Sequence, residues 1–220
     1  MRALLSILWK DLLLEIRTKE TVTPVLVFAL LVVVIFDFAL EPRRDLIVTV
    51  APGVLWASIT FAGVLGLSRT FTLEQERGGL QGLMLAPIGR EVIYLGKFLS
   101  SFIFMLAVEA AILPVFSAIF NLPFFLPQVW VQAILATLGY AAVGTVFAAM
   151  SLNTRARDIM LPVLFFPIVV PVLMAAVEGT SAALRGESWS GALRWIQLTA
   201  AFDIIFTVLG AMTFGLVLKE

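Results

Sequence analysis

The chain contains no cysteine and no histidine. The first absence excludes disulfides and thiol chemistry, while saying little about compartment. The second removes the commonest ligand of transition metals, and with it any Ser-His-Asp or Cys-His pair assembled within the chain. Charge is scarce as well: 14% of residues are Asp, Glu, Lys or Arg, against about 25% in soluble domains. Lys and Arg balance Asp and Glu at 15 each, so a nucleic-acid partner has no electrostatic footing. Alternating stretches of about ten residues, the mark of a membrane β-barrel, are missing too.

What the chain has is apolar surface. Of 220 residues, 61% are hydrophobic, more than a soluble core of this size can bury. The bilayer must act as solvent, and every backbone polar group inside it must pair within its own helix. The sequence therefore reads as an all-α integral membrane protein with six spans in one domain, residues 1–220. The spans fall at about 21–40, 46–67, 98–120, 128–152, 159–177 and 198–218, each long enough to cross a ~30 Å hydrocarbon core. Pro24 is tolerable in the first turn of the first span, and Pro52-Gly53 lies near the start of the second. Residues 121–127 form an uncharged turn with two prolines, and 178–197 is a polar, small-residue segment. No internal repeat is evident. Ahead of the spans, residues 2–20 place Leu5, Leu8, Trp9, Leu12 and Ile16 on one helical face, with Ser6, Lys10 and Arg17 opposite. Asp11, Glu15 and the charged run at 17–20 argue against a signal peptide. An amphipathic helix lying along the membrane surface is expected instead.

Basic residues set the orientation. With the N-terminus inside, Arg2, Lys10, Arg17, Lys19, Arg69, Arg77, Arg90, Lys97, Arg155, Arg157 and Lys219 are cytoplasmic, whereas Arg43, Arg44, Arg185 and Arg194 are outside. Both termini are then cytoplasmic, as is residues 69–97, the longest polar interruption in the chain. That interruption is no plain linker. It mixes Glu74, Glu76 and Arg77 with Phe71, Leu73, Leu80, Leu83, Met84 and Leu85, too apolar for a disordered tail. Two short amphipathic helices are expected there, broken at Gly78-Gly79 and stopped before Pro87. A structured knuckle of this kind offers a docking surface: Phe71, Leu73, Leu83 and Met84 as its apolar centre, and Glu74, Glu76 and Arg77 as its charged rim.

Within the spans, Glu109 lies midway along the third, where an ionised carboxylate costs at least ~2.5 kcal/mol. Two readings stand: a substrate contact or proton relay, and a protonated or hydrogen-bonded acid that ties helices together. Asp37 and Asp203 are expected near the outer ends of their spans, reaching headgroups or water. Pro162, Pro167 and Pro171 read either as a broken helix lining a path or as a fixed kink that shapes packing. Gly63, Gly66, Gly139 and Gly144 read as close helix contacts. Gly89, Gly96 and Lys97 do not meet phosphate-loop spacing. The chain therefore carries no nucleotide site, is not expected to be an enzyme, and would depend on a partner for any use of ATP.

Three stretches together resemble a known family: APGVLW at 51–56, the knuckle with Arg69, Phe71, Glu76, Gly79, Leu80, Leu83-Met84-Leu85-Ala86-Pro87 and Lys97, and LPVLFFPIVVPVL at 161–173. They look like the haem exporter protein B (CcmB) family, the membrane subunit of the cytochrome c maturation ABC complex. The resemblance implies an ABC-2 exporter-like permease in the cytoplasmic (inner) membrane, with an N-terminal surface helix and re-entrant half-helices between the last two spans. It implies a cytoplasmic ABC ATPase subunit as partner, a dimer of each, with 69–97 as the coupling loop. The coupling residues carried over are Phe71, Leu73, Glu74, Glu76, Arg77, Gly78, Gly79, Leu83, Met84 and Pro87. A haem-handling membrane protein and a haem chaperone complete the implied complex, in which ATP hydrolysis releases the loaded chaperone. No cofactor is expected on this chain; without His or Cys it would have to hold haem by Met, Tyr or apolar contact. Other readings share the same residues: an ABC-2 permease for a drug or lipid, a proton-coupled secondary transporter using Glu109, or a passive scaffold.

Overall fold

The structure, a computed structural model, describes residues 2–40, 46–76, 79–151 and 157–217; within its helices the side chains of 69, 70, 73, 74, 76, 80, 81 and 157–162 are also outside the description. Eight helices follow in order: α1 (Arg2–Thr18), α2 (Val22–Leu40), α3 (Ile47–Glu76), α4 (Gly79–Leu85), α5 (Arg90–Phe120), α6 (Pro127–Ser151), α7 (Arg157–Leu184) and α8 (Trp189–Val217). No strand occurs among the described residues. Six of the helices, α2, α3 and α5 to α8, are long and apolar enough to cross a membrane. The chain is an all-α, multi-pass membrane protein. Because the crossings alternate, α1, α4 and the start of α5 share one face of the bundle, the near face, and the turns after α5 and α7 share the far face.

Local chemistry explains most boundaries. The α5 helix ends where Asn121 adopts the left-handed conformation (φ 52°), a position that Asn tolerates better than most residues. The Ser117 hydroxyl donates to the Leu122 carbonyl at 2.7 Å, and Pro127 opens α6 at the position where a missing N–H costs nothing. On the near face, the Glu15 carboxylate accepts from the N–H groups of Thr21 and Val22 at 3.0 and 2.7 Å, capping the start of the first span.

The centre of the bundle is α6. Its run of Ala133, Ala136, Gly139, Ala141, Ala142, Gly144, Ala148 and Ala149 is buried on all sides, and neighbours α3, α5, α7 and α8 all pack on it. Small residues let backbones approach closely where the hydrophobic effect cannot drive association. Two tyrosines then reach across: Tyr140 Oη donates to the Thr60 carbonyl on α3 at 2.6 Å, and Tyr94 Oη from α5 to the Ala142 carbonyl at 3.1 Å. The four glycines singled out by sequence do sit at helix contacts. A Cβ at Gly63 would meet Met105 and Tyr140, at Gly66 Phe104, at Gly139 Phe202, and at Gly144 Leu67.

The structure revises several expectations. The knuckle is not a pair of short helices: its first half continues the second span as one helix through Glu76, and only α4 is separate. Nothing between Ser68 and Glu76 breaks the hydrogen-bond ladder, since glycine first recurs at 78 and 79. The third span's helix starts at Arg90, just after the stop at Pro87, so Lys97 belongs to α5 and not to a loop. The segment 178–197 forms no separate half-helices. Helices α7 and α8 run on to Leu184 and from Trp189, leaving a tight turn with Gly186 at φ 74°. Small residues such as Gly179, Thr180, Ser181 and Ala182 are buried there, and the Trp56 indole N–H donates to the Thr180 hydroxyl at 3.0 Å. Nor is the fifth span broken, because α7 is continuous through Pro167 and Pro171. Both prolines face outward while Phe165, Val169 and Val172 are buried on the packed side. Pro162 has its side chain outside the described ones.

Gly63 provides a direct test of this packing. Gly63→Val should lower the thermal midpoint in detergent, since the new side chain displaces Tyr140 from the Thr60 carbonyl; overpacking of this kind costs about 1–3 kcal/mol. Gly53→Ala, where an added Cβ meets nothing within 4 Å, should leave the midpoint unchanged.

Candidate functional site

Two regions hold the chemistry of this chain: the near-face knuckle and the polar side chains buried between the spans. At the knuckle, Phe71 points inward and is 1% exposed. This corrects the expectation that it contributes to an outward apolar contact; α3 continues as a helix, and that helix turns Phe71 into the bundle. Leu83 is half-buried against the core. The outward apolar surface is carried instead by Met84, by Leu85 at 88% exposure, and by Pro87. Leu85 was part of the motif but was not counted among the contact residues; its place in the last turn of a short helix, just ahead of Pro87, was the signal. Gly79 opens α4. The side chains of Leu73, Glu74 and Glu76, and residues Arg77 and Gly78, lie outside the described residues.

Beneath the knuckle sits an arrangement that the sequence did not disclose. Lys97 Nζ lies 2.8 Å from Asp11 Oδ2, with the two side chains 2% and 8% exposed. The other oxygen of Asp11 lies 3.1 Å from Lys10 Nζ, and the Lys97 ammonium is 5.9 Å from the centroid of the Phe71 ring, within the reach of a cation–π contact. Ile7 packs against Gly96 beside the pair. A surface helix, the end of the second span and the start of the third thus meet around one charge. A small, mainly apolar cavity of about 30 Å³ adjoins the pair, lined by Asp11, Lys97 and Ser101 together with Leu67, Phe104 and Met105 among others. That is room for about one water. The burial of Asp11 also fixes the orientation of α1: Ile7 and Asp11 face α5, while Leu5, Trp9 and Ile16 remain exposed. An exposed apolar face is what a helix in the membrane interface requires.

Deeper in the bundle, Glu109 is fully buried and accepts a hydrogen bond from the Thr137 hydroxyl of α6. Its second oxygen has no hydrogen-bond partner among the described residues. Asp203 does not reach headgroups as expected. It lies at the middle of α8, 4% exposed, with its carboxylate against the backbone at Gly139. The missing side chain at Gly139 makes the room for it, which is why a mid-helix Asp can be buried there. Nearer the far face, Gln132 donates to the Thr199 hydroxyl at 2.9 Å, joining α6 to α8. Asp37 is half-buried toward the end of α2. A groove of about 380 Å³ runs between α3 and α7, lined by Trp56, Phe61, Phe166, Met174 and Glu178 among others. Glu109 lines neither this groove nor the near-face cavity. Among the described residues no group of His, Cys, Asp or Glu is arranged to hold a metal.

In this geometry Glu109 ties α5 to α6. A Gln side chain retains the acceptor oxygen, so Glu109→Gln should reach the membrane at the wild-type level, as read by quantitative blotting. Glu109→Ala leaves the Thr137 hydroxyl without its partner, a penalty of about 1–3 kcal/mol, and should accumulate less.

Comparison with known proteins adds a family. The model described as CcmB protein matches residues 2–219. Among curated relatives, the heme exporter protein B of Rhodobacter capsulatus is 33% identical over 181 residues, 81% of each chain. That of Pseudomonas aeruginosa is 28% identical over 192 residues, covering 87% of this chain and 86% of the relative. That of Paracoccus denitrificans is 28% identical over 200 residues, 90% of each. With a family model matched along almost its entire length, the chain belongs to the CcmB family.

Proposed function

We propose that this chain is the membrane permease subunit of a haem-exporting ABC complex, lodged in the cytoplasmic (inner) membrane with both termini in the cytoplasm. The observation that carries this reading is the full-length family match, joined by relatives whose name is heme exporter protein B. The near face would be the cytoplasmic one. It gathers α1, α4 and the start of α5, and with them most of the basic residues, as the positive-inside rule requires.

On this reading the end of α3 together with α4 is the coupling element, and a soluble ABC ATPase is its partner and the holder of ATP. The exposed trio of Met84, Leu85 and Pro87 supports it, because apolar side chains clustered at a polar surface call for a cover. They would anchor the contact, with Glu74, Glu76 and Arg77 as a charged rim governing approach rate and salt dependence. Phe71 would hold the element from inside. Hydrolysis by the partner would drive haem delivery and release of the loaded haem chaperone in cytochrome c maturation, alongside a haem-handling membrane protein and a second copy of this chain. The role of this chain is then mechanical rather than haem-ligating: it has only Met and Tyr side chains to offer iron.

Leu85→Glu tests the docking surface. The side chain is almost fully exposed, so the chain should still insert normally. Loss of an anchor worth ~2 kcal/mol should weaken ATPase association about thirtyfold in copurification from mild detergent. Undiminished association would remove α4 from the interface.

A further inference from the structure

The buried pair between Asp11 and Lys97 lies outside the coupling element as drawn so far, yet it touches that element directly. The pair and three neighbouring contacts form one cluster. Lys97 enters from the third turn of α5 and meets Asp11 of α1 at 2.8 Å. Phe71, buried at the end of α3, lies under the same ammonium group. Lys10 holds the other oxygen of Asp11. One turn after Asp11 along α1, Glu15 caps the start of α2 through two backbone N–H groups. Hence α1, α2, α3 and α5 are joined at a single near-face joint, and the end of α3 carries it out toward α4.

We propose that the Asp11–Lys97 pair is the transmission joint of this subunit: displacement of the α3–α4 knuckle by its partner moves Lys97, and through Asp11 moves α1 along the membrane surface. Two physical features favour movement as a unit. A desolvated ion pair resists separation, because parting Lys97 from Asp11 breaks a buried contact between opposite charges. The outward face of α1, with Leu5, Trp9 and Ile16, is exposed, while its inner face is held on α5 by Ile7 and Asp11, so that α1 follows α5. A mainly apolar cavity of about 30 Å³ adjoins the pair, which gives the joint room to shift. Asp11 and Lys97 are therefore positioning residues, acting through the knuckle rather than on any substrate.

The inference rests on the ATPase-coupled reading above, and its test separates the two. The complex is purified from cells carrying the wild-type chain, Asp11→Asn, Lys97→Met, both changes together, or the exchanged pair Asp11→Lys with Lys97→Asp. For each, four quantities are read: chain in the membrane, ATPase retained, ATP turnover, and holo-cytochrome c formed per membrane-inserted chain. With the neutral double variant, ATPase retention and ATP turnover should stay within about twofold of wild type, while holo-cytochrome per inserted chain falls at least tenfold. The exchanged pair should recover most of that output. Normalising to inserted chain keeps the result readable even where a variant is less stable. If output per inserted chain stays at the wild-type level in the neutral double variant, or the exchanged pair recovers nothing, the joint is overturned. If instead the wild-type chain retains no ATPase at all, the functional reading fails rather than the joint.

Discussion

A bilayer offers no hydrogen bonds, and the architecture of this chain follows from that single constraint. Every backbone group inside the hydrocarbon must pair within its own helix, which makes each of the six spans helical. Polar side chains carried inward bond a carbonyl of their own helix, as Ser58 and Thr145 do, or reach a neighbouring helix, and α6 takes part in most of those described crosslinks. Its alanines and glycines bring neighbouring backbones close enough for Tyr94, Tyr140 and Glu109 to reach it. Remove the small residues and the polar crosslinks lose their geometry; remove the crosslinks and little besides packing holds helices in lipid.

The near face obeys a different balance. There the polar groups are ionised, and burial must be offset by pairing. Lys97 and Asp11 meet this condition together, and the pair draws a surface helix into the bundle that sequence alone places only on the membrane. An isolated buried ion pair contributes little net stability against an apolar replacement of similar shape. Its presence where α1, α3 and α5 converge therefore speaks to position more than to stability. The knuckle above it is asymmetric in consequence: anchored inside by Phe71, and apolar outside through Met84 and Leu85.

The number and type of spans were legible because long apolar runs announce themselves, and the ends at Leu40, Phe120 and Pro127 followed from turn residues. The close-packed glycines were legible for the same reason, since small residues within a span have few other uses. What the sequence concealed was direction. Phe71 reads as an exposed apolar residue only if α3 is assumed to stop at the membrane edge; because the helix continues, its own periodicity turns Phe71 inward. Asp203 reads as a headgroup contact until Gly139, 64 positions earlier, supplies the gap that holds it. The pairing of Asp11 with Lys97, 86 residues apart, belongs to tertiary structure alone. Charge near a span end signals an interface, and nothing local marks it as half of a buried pair.

The central proposal is a membrane subunit whose near-face knuckle a soluble ATPase covers. The most direct measurement is to isolate the unmodified chain from its own membrane in mild detergent and identify the soluble proteins that accompany it by mass spectrometry. The expected result is a nucleotide-hydrolysing ABC subunit in stoichiometric amount, lost when the apolar trio at Met84, Leu85 and Pro87 is made polar. Recovery of the chain with membrane partners alone, or with no partner while transport persists without ATP, would contradict it.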